Sequence, residues 1–135
     1  MLYALLIYQA EEVTEAYGES EQDAVMAAHG QMQEKAKAKQ QFVAATKLMP
    51  TSSATTLRGA RDGVGVIDGP FAETKEHFGG FYLLDCANLD EAMDYARQLP
   101  HAVTGAIEIR PVAYNEVVMP DPETGIGAEQ FETLT

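Results

Sequence analysis

The chain has no tryptophan, a single cysteine and no long apolar run. With Cys86 alone, an internal disulfide and a cysteine cage for zinc are both impossible, and a reducing compartment fits. Every apolar stretch falls short of the about 20 residues that a membrane span requires. The opening MLYALLIYQAEE has neither a basic n-region nor a small-residue cleavage site, so the expected location is the cytoplasm. Lysine and arginine are missing from both ends. Residues 1–34 hold seven acids and no base, residues 113–135 hold five acids and no base, and residues 35–112 hold nine of each sign. The net charge of −12 therefore resides in the ends. A phosphate-binding surface needs clustered bases that acids do not match, so direct nucleic-acid binding is disfavoured, and an anionic membrane surface with it. P-loop, GxGxxG, GxSxG, HxxxH and HExxH patterns are absent as well. Nucleotide binding and serine hydrolysis by those routes drop out, and neither a metal nor a cofactor is expected.

What is present is one domain's worth of chain: 135 residues, 46% hydrophobic and 22% charged. Leu2 to Tyr8 is an apolar run too short for an ordinary helix and reads as a buried strand. Ser20 with Asp23 resembles a capping box, opening a helix to about Gln40 with Val25, Ala28, His29, Met32 and Ala36 on its inner stripe. Phe42 to Leu48 reads as a strand ended by Pro50. Ala54 to Arg58 and Val64 to Ile67 flank the turn Arg61-Asp62-Gly63, an inserted hairpin. Phe81 to Leu84 is the next strand, with Gly79-Gly80 leading into it. Asn88 and Glu91 cap a second helix, with Leu89, Ala92, Met93, Ala96 and Leu99 as its stripe and Pro100 as its stop. Ala106 to Val112 is the closing strand.

The order strand, helix, strand, hairpin, strand, helix, strand predicts an α+β fold: a ferredoxin-like split βαβ with helices on one face of an antiparallel sheet. The other face, expected from alternate residues of Leu2–Tyr8, Phe81–Leu84 and Ile107–Ile109, needs a cover, and a second copy supplies it most simply. A homodimer is expected. Residues 1–112 form the domain, and residues 113–135, with Pro120, Pro122, Gly125 and Gly127 and no period, form an extended acidic tail.

The densest polar cluster runs from Asp68 to Gly80. Asp68-Gly69-Pro70 is a turn, Phe71 an apolar anchor, and Glu73, Lys75, Glu76 and His77 put four ionisable groups within five residues before the glycine pair. Carboxylates beside an amine shift one another's pKa, and Gly79 and Gly80 would let backbone amides approach a ligand. A solvated surface loop is the plainer alternative. Elsewhere, Glu108 and Arg110 share a strand face as an ion pair or a charged cleft wall, with the ion pair favoured. His101 reads as a helix-end residue, favourable near a C-terminus when protonated. Cys86 reads as a small buried thiol.

The string DGPFAETKE, followed by GGFYL, a second helix and IEIRPV, resembles the signature of the DGPF family within the wider YCII-related group, over Met1 to about Val112. The resemblance implies a ferredoxin-like unit that dimerises into an α+β barrel, and fixes the fold better than the activity. In the wider group a His on the first helix, about 21 residues before a Pro, is half of a His and Asp pair, and His29 and Pro50 keep that spacing. The acid of the pair is expected in the turn after the helix, yet residues 35–61 contain no Asp or Glu. Asp68 or Glu73 would have to substitute.

Two functional readings follow. In the first, the domain is a small-molecule-binding domain or acid–base enzyme, a His-dependent isomerase or lyase for a small organic acid or ring compound. His29 and Asp68 are then catalytic, and Glu73, Lys75, Glu76, Gly79, Gly80 and Arg110 bind the ligand. In the second, implied by the resemblance, it is a regulatory partner of an extracytoplasmic-function sigma factor, because DGPF proteins are often encoded beside such factors.

Overall fold

The computed structural model describes residues 1–118. The expected tail beyond them lies outside the described residues. Strand β1 (Leu2–Gln9) is followed by a short helix α1 (Glu11–Glu15), the long helix α2 (Glu19–Ala38) and β2 (Phe42–Lys47). A 3-10 turn at Thr51–Ser53 leads to the hairpin β3 (Thr55–Ala60) and β4 (Gly63–Asp68). Then come β5 (His77–Asp85), α3 (Leu89–Arg97), a one-turn helix α4 (His101–Thr104) and β6 (Ala106–Pro111). The main sheet runs β2-β5-β1-β6 with every neighbour antiparallel, and β3-β4 form a separate two-stranded sheet. This is a mixed α+β fold.

Burial alternates along β1 because its side chains point to opposite faces. Tyr3 and Leu5 meet Tyr82, Leu84, Met32, Ala36, Ala92, Tyr95, Ala96 and Leu99 in one core beneath the helices, with Ile7, Phe42, Ala45, Ile107 and Ile109 packed at its edge. Met32 and Ala36 are the buried part of the expected α2 stripe. The helix ends differ in part from expectation. The extended Gly18 caps α2 and Ser20 lies inside the first turn, where Glu19 and Glu21 face the positive end of the helix dipole. Asn88 does cap α3, its side chain accepting from the Glu91 amide at 2.9 Å.

Strand β5 is longer than its apolar run indicated. Gly79 and Gly80 are part of the ladder and do not precede it, with Gly80 paired to both Ile7 and Lys47. A Cβ on Gly80 would run into the carbonyl oxygen of Thr46. Gly80 is thus the residue that lets β2 close against β5. At Gly69, φ is +105°, which the turn after β4 requires of a glycine.

The face of the sheet away from the helices carries Leu6 opposite Phe81 and Glu108, and Ala4 opposite Leu83 and Arg110. Phe78 stacks on Phe81 with ring centroids 6.3 Å apart and touches Tyr8 at 5.5 Å. Ile107 and Ile109 were expected here, but register places them opposite Ile7 and Leu5, on the helix side. The parity of β6 is set by where it starts beside β1, which its own composition does not encode.

Candidate functional site

Five elements converge on a half-buried polar chain. On α2, His29 and Gln33 are four residues apart and so share a face, directed at Tyr82 of β5. The Tyr82 hydroxyl lies 2.7 Å from His29 Nδ1 and accepts from Gln33 Nε2 at 2.8 Å. The His29 and Tyr82 rings are stacked, with centroids 5.8 Å apart. His29 Nε2 lies 2.9 Å from Nε2 of His101, the first residue of α4. His101 Nδ1 meets the carboxamide oxygen of Gln9, the last residue of β1, at 2.9 Å. Gln9, only 8% exposed, is fully used: its oxygen also accepts from Thr104 at 2.6 Å, and its nitrogen donates to Thr14 at 2.7 Å and Tyr17 at 3.1 Å. Close packing brings α4 to this point, since a Cβ on Gly105 would strike the Tyr8 carbonyl oxygen.

These contacts determine where the protons sit. With the Gln9 oxygen turned toward it, His101 Nδ1 must donate, which leaves His101 Nε2 as an acceptor. His29 Nε2–H therefore donates to His101, and His29 Nδ1 accepts from the Tyr82 hydroxyl. Every bond runs in one direction, from Gln33 through Tyr82, His29 and His101 to Gln9. Both imidazoles are held neutral. Burial, the neighbouring His101 and the Lys47 ammonium push the His29 pKa down to about 4. Burial and Lys47 also lower that of His101. Burial raises the Tyr82 hydroxyl, against the opposing effect of its bond from Gln33, so it stays a donor.

The segment from Asp68 to Gly80 lies apart from this chain of bonds. Asp68, Glu73, Lys75 and Glu76 are exposed, and none makes an ion pair among the described residues. Asp68, Glu73, Thr74 and His77 line an open cleft of about 590 Å³, with Glu11 and Glu15 across from them. The Thr51 amide donates to Glu11 at 2.7 Å and holds that carboxyl below its ordinary range. Four carboxylates and no lysine or arginine line this cleft, so it repels an organic acid. Among the described residues no three His, Cys, Asp or Glu side chains are grouped to hold a metal ion.

Asp68 makes no hydrogen bond or ion pair with His29, whose ring nitrogens engage Tyr82 and His101. Gly79 is exposed in β5, and Gly80 is buried in the ladder. Glu108 and Arg110 do share the open face of the sheet, but they form no ion pair there. His101 is at the start of α4, neutral and bonded on both nitrogens, not a protonated helix-end residue. Cys86 is a buried free thiol, and desolvation, with Glu91 and Asp85 nearby, pushes it up to about 11.

The family model for the YCII-related domain matches residues 1–115. The chain belongs to the YCII-related family. A protein of Rhizobium meliloti (strain 1021), described as uncharacterised, is 47% identical over 115 residues, which span 84% of this chain and 93% of that protein. Within this YCII-related domain, the sequence singled out His29 but did not point to Tyr82, His101, Gln9 and Lys47 as its surroundings. The signals were faint: a Tyr in an apolar strand, a Gln ending another, and a second His just after Pro100. None of these three marks a site until the sheet brings them together.

Proposed function

We propose that this domain binds a small organic molecule and shifts a proton on it, an isomerase- or lyase-type step on a small organic acid or ring compound. The observation that carries this reading is the 2.9 Å contact between the Nε2 atoms of His29 and His101, one a donor and the other an acceptor with tautomers set from behind by Tyr82 and Gln9. A ligand entering between the half-buried rings meets a base and a hydrogen-bond donor side by side. His101 Nε2 takes a proton from an acidic C–H, and the electron pair left behind delocalises onto an adjacent oxygen. His29 Nε2–H donates to that oxygen, and His101 returns the proton to a different atom. Being neutral, the imidazoles are in the proton-accepting form at pH 7. Asp68 has no part in this step.

Two finer points belong to the same reading. The strand order β2-β5-β1-β6 supports a ferredoxin-like unit, and the Asp68–Phe71 string supports placement in the DGPF subgroup. The aromatic and aliphatic face around Tyr8, Phe78 and Phe81 supports pairing of two copies into an α+β barrel, for which a dimer mass by light scattering is the measure. The functional reading is tested by a thermal-shift screen of small organic acids and ring compounds. Hits are then followed for solvent deuterium uptake by the wild type and by His29→Gln and His101→Gln. The expected result is exchange at one carbon of a hit, lost in both variants. Exchange that persists in both variants would overturn it.

A further inference from the structure

A histidine that gains a proton during turnover is ordinarily faced by a carboxylate that stabilises the imidazolium. Among the described residues no carboxylate bonds either ring, and the charged side chain that acts on both is a cation. Lys47, on β2, pairs with Gly80, two residues beyond the pairing of Ala45 with Tyr82. Residues two apart on a strand share a face, so Lys47 projects on the same side as Ala45, the side of the helices, His29 and the core. Its neighbour Gly80 is buried in the ladder, whereas Lys47 itself is exposed on the edge strand β2. Its charge reaches both imidazoles, lowering the pKa of each.

Lys47 has no carboxylate within ion-pair distance among the described residues. Its whole surroundings in sequence lack one: residues 35–61 contain six Lys and Arg residues and no Asp or Glu, in a chain of net charge −12. The carboxamide of Gln33 adds a second donor, since Nε2 carries two hydrogens and the Tyr82 hydroxyl accepts one of them. An ammonium and an amide N–H thus lie on the helix side of the sheet with the two neutral rings, and among the described residues no carboxylate pairs with the ammonium.

We propose that Lys47 is the anion-binding residue of this site and that the ligand is a small organic anion, its carboxylate held by Lys47 with Gln33 while the His29–His101 pair faces an adjacent acidic C–H. The assignment rests on the proton-transfer reading above and adds the ligand's charge and the residue that recognises it. Lys47 also stabilises the negative charge that spreads into the ligand when the proton leaves, so the same contact binds the ligand and favours the step. The acidic cleft beside Asp68 has the opposite charge and does not compete for this ligand.

The test uses the whole chain with benzoate and acetate as anionic probes and benzamide and acetamide as neutral isosteres. Binding is followed by the histidine ring resonances of the wild type, Lys47→Gln and Lys47→Arg. Benzoate is expected to shift the His29 and His101 signals where benzamide does not. Affinity should fall about tenfold or more in Lys47→Gln and be largely restored in Lys47→Arg, as loss of a charge-assisted contact implies. Without any probe, Lys47→Gln should raise the pH at which both rings titrate, because a repelling charge has been removed. Equal binding of benzoate by wild type and Lys47→Gln, or no perturbation of either ring by either anion, would overturn the anion assignment. Neither result touches the proton-transfer reading, which stands or falls on deuterium uptake in the histidine variants.

Discussion

The Nε2 atoms of His29 and His101 face each other at 2.9 Å although the two residues are 72 positions apart. Two neutral imidazoles can meet in this way only if one donates and the other accepts, and here the choice is made by the residues behind them. Tyr82 occupies the outer nitrogen of one ring, and Gln9 the outer nitrogen of the other. The pair is therefore a fixed acid–base arrangement, oriented by hydrogen bonds and not by a carboxylate.

Its acid sensitivity has a defined sign. An unfolded histidine titrates near 6.5, whereas His29 in the fold titrates at about 4. Between those values the unfolded chain binds a proton that the native chain refuses. Stability associated with the neutral ring is therefore complete above about pH 6.5 and is lost progressively as pH falls to about 4. Urea midpoints of wild type and His29→Gln at pH 7.5 and pH 4.5 measure this. The wild type should lose more on acidification than the variant, and parallel losses would show that the ring is not held neutral.

The glycine pair separates into two residues with different duties. Gly80→Ala drives a methyl group into the backbone carbonyl of Thr46 and should cost about 2 to 3 kcal/mol or prevent folding. At Gly79 an added Cβ lies 3.9 Å from the Ile7 carbonyl oxygen, an ordinary contact. Gly79→Ala should stay within about 0.5 kcal/mol of the wild type in a urea melt.

The charged loop should tolerate truncation. Glu73, Lys75 and Glu76 are exposed and unpaired among the described residues, so replacing each with Ala should change stability by no more than about 0.5 kcal/mol. A loss of 1 kcal/mol or more in any of the three melts, about twice the usual surface limit, would show a partner for that charge in the folded protein.

By itself, the sequence determined the six strands, the two longer helices and the α+β class, but not the short helices α1 and α4. Short apolar runs, the Asn88 cap, the Arg61-Asp62 turn and the stripe at Met32 and Ala36 are local signals, readable because they follow the periods of strand and helix. It also singled out His29, and it showed that the stretch after α2 lacks the acid that a His and Asp pair would need. Only the tertiary structure decided what His29 meets instead. Strand register, a property of pairing, turned Tyr82 and Lys47 to the helix face and Arg110 to the opposite one. The close approach at Gly105 set α4, and with it His101, against the end of β1 at Gln9. The dense string from Asp68 to Gly80 drew attention in the sequence because charge and glycine are conspicuous there. In the fold its charges are solvated and Gly80 serves the sheet, whereas the hydrogen-bonded cluster is built from a tyrosine, two glutamines and two histidines drawn from four elements, which no local pattern joins.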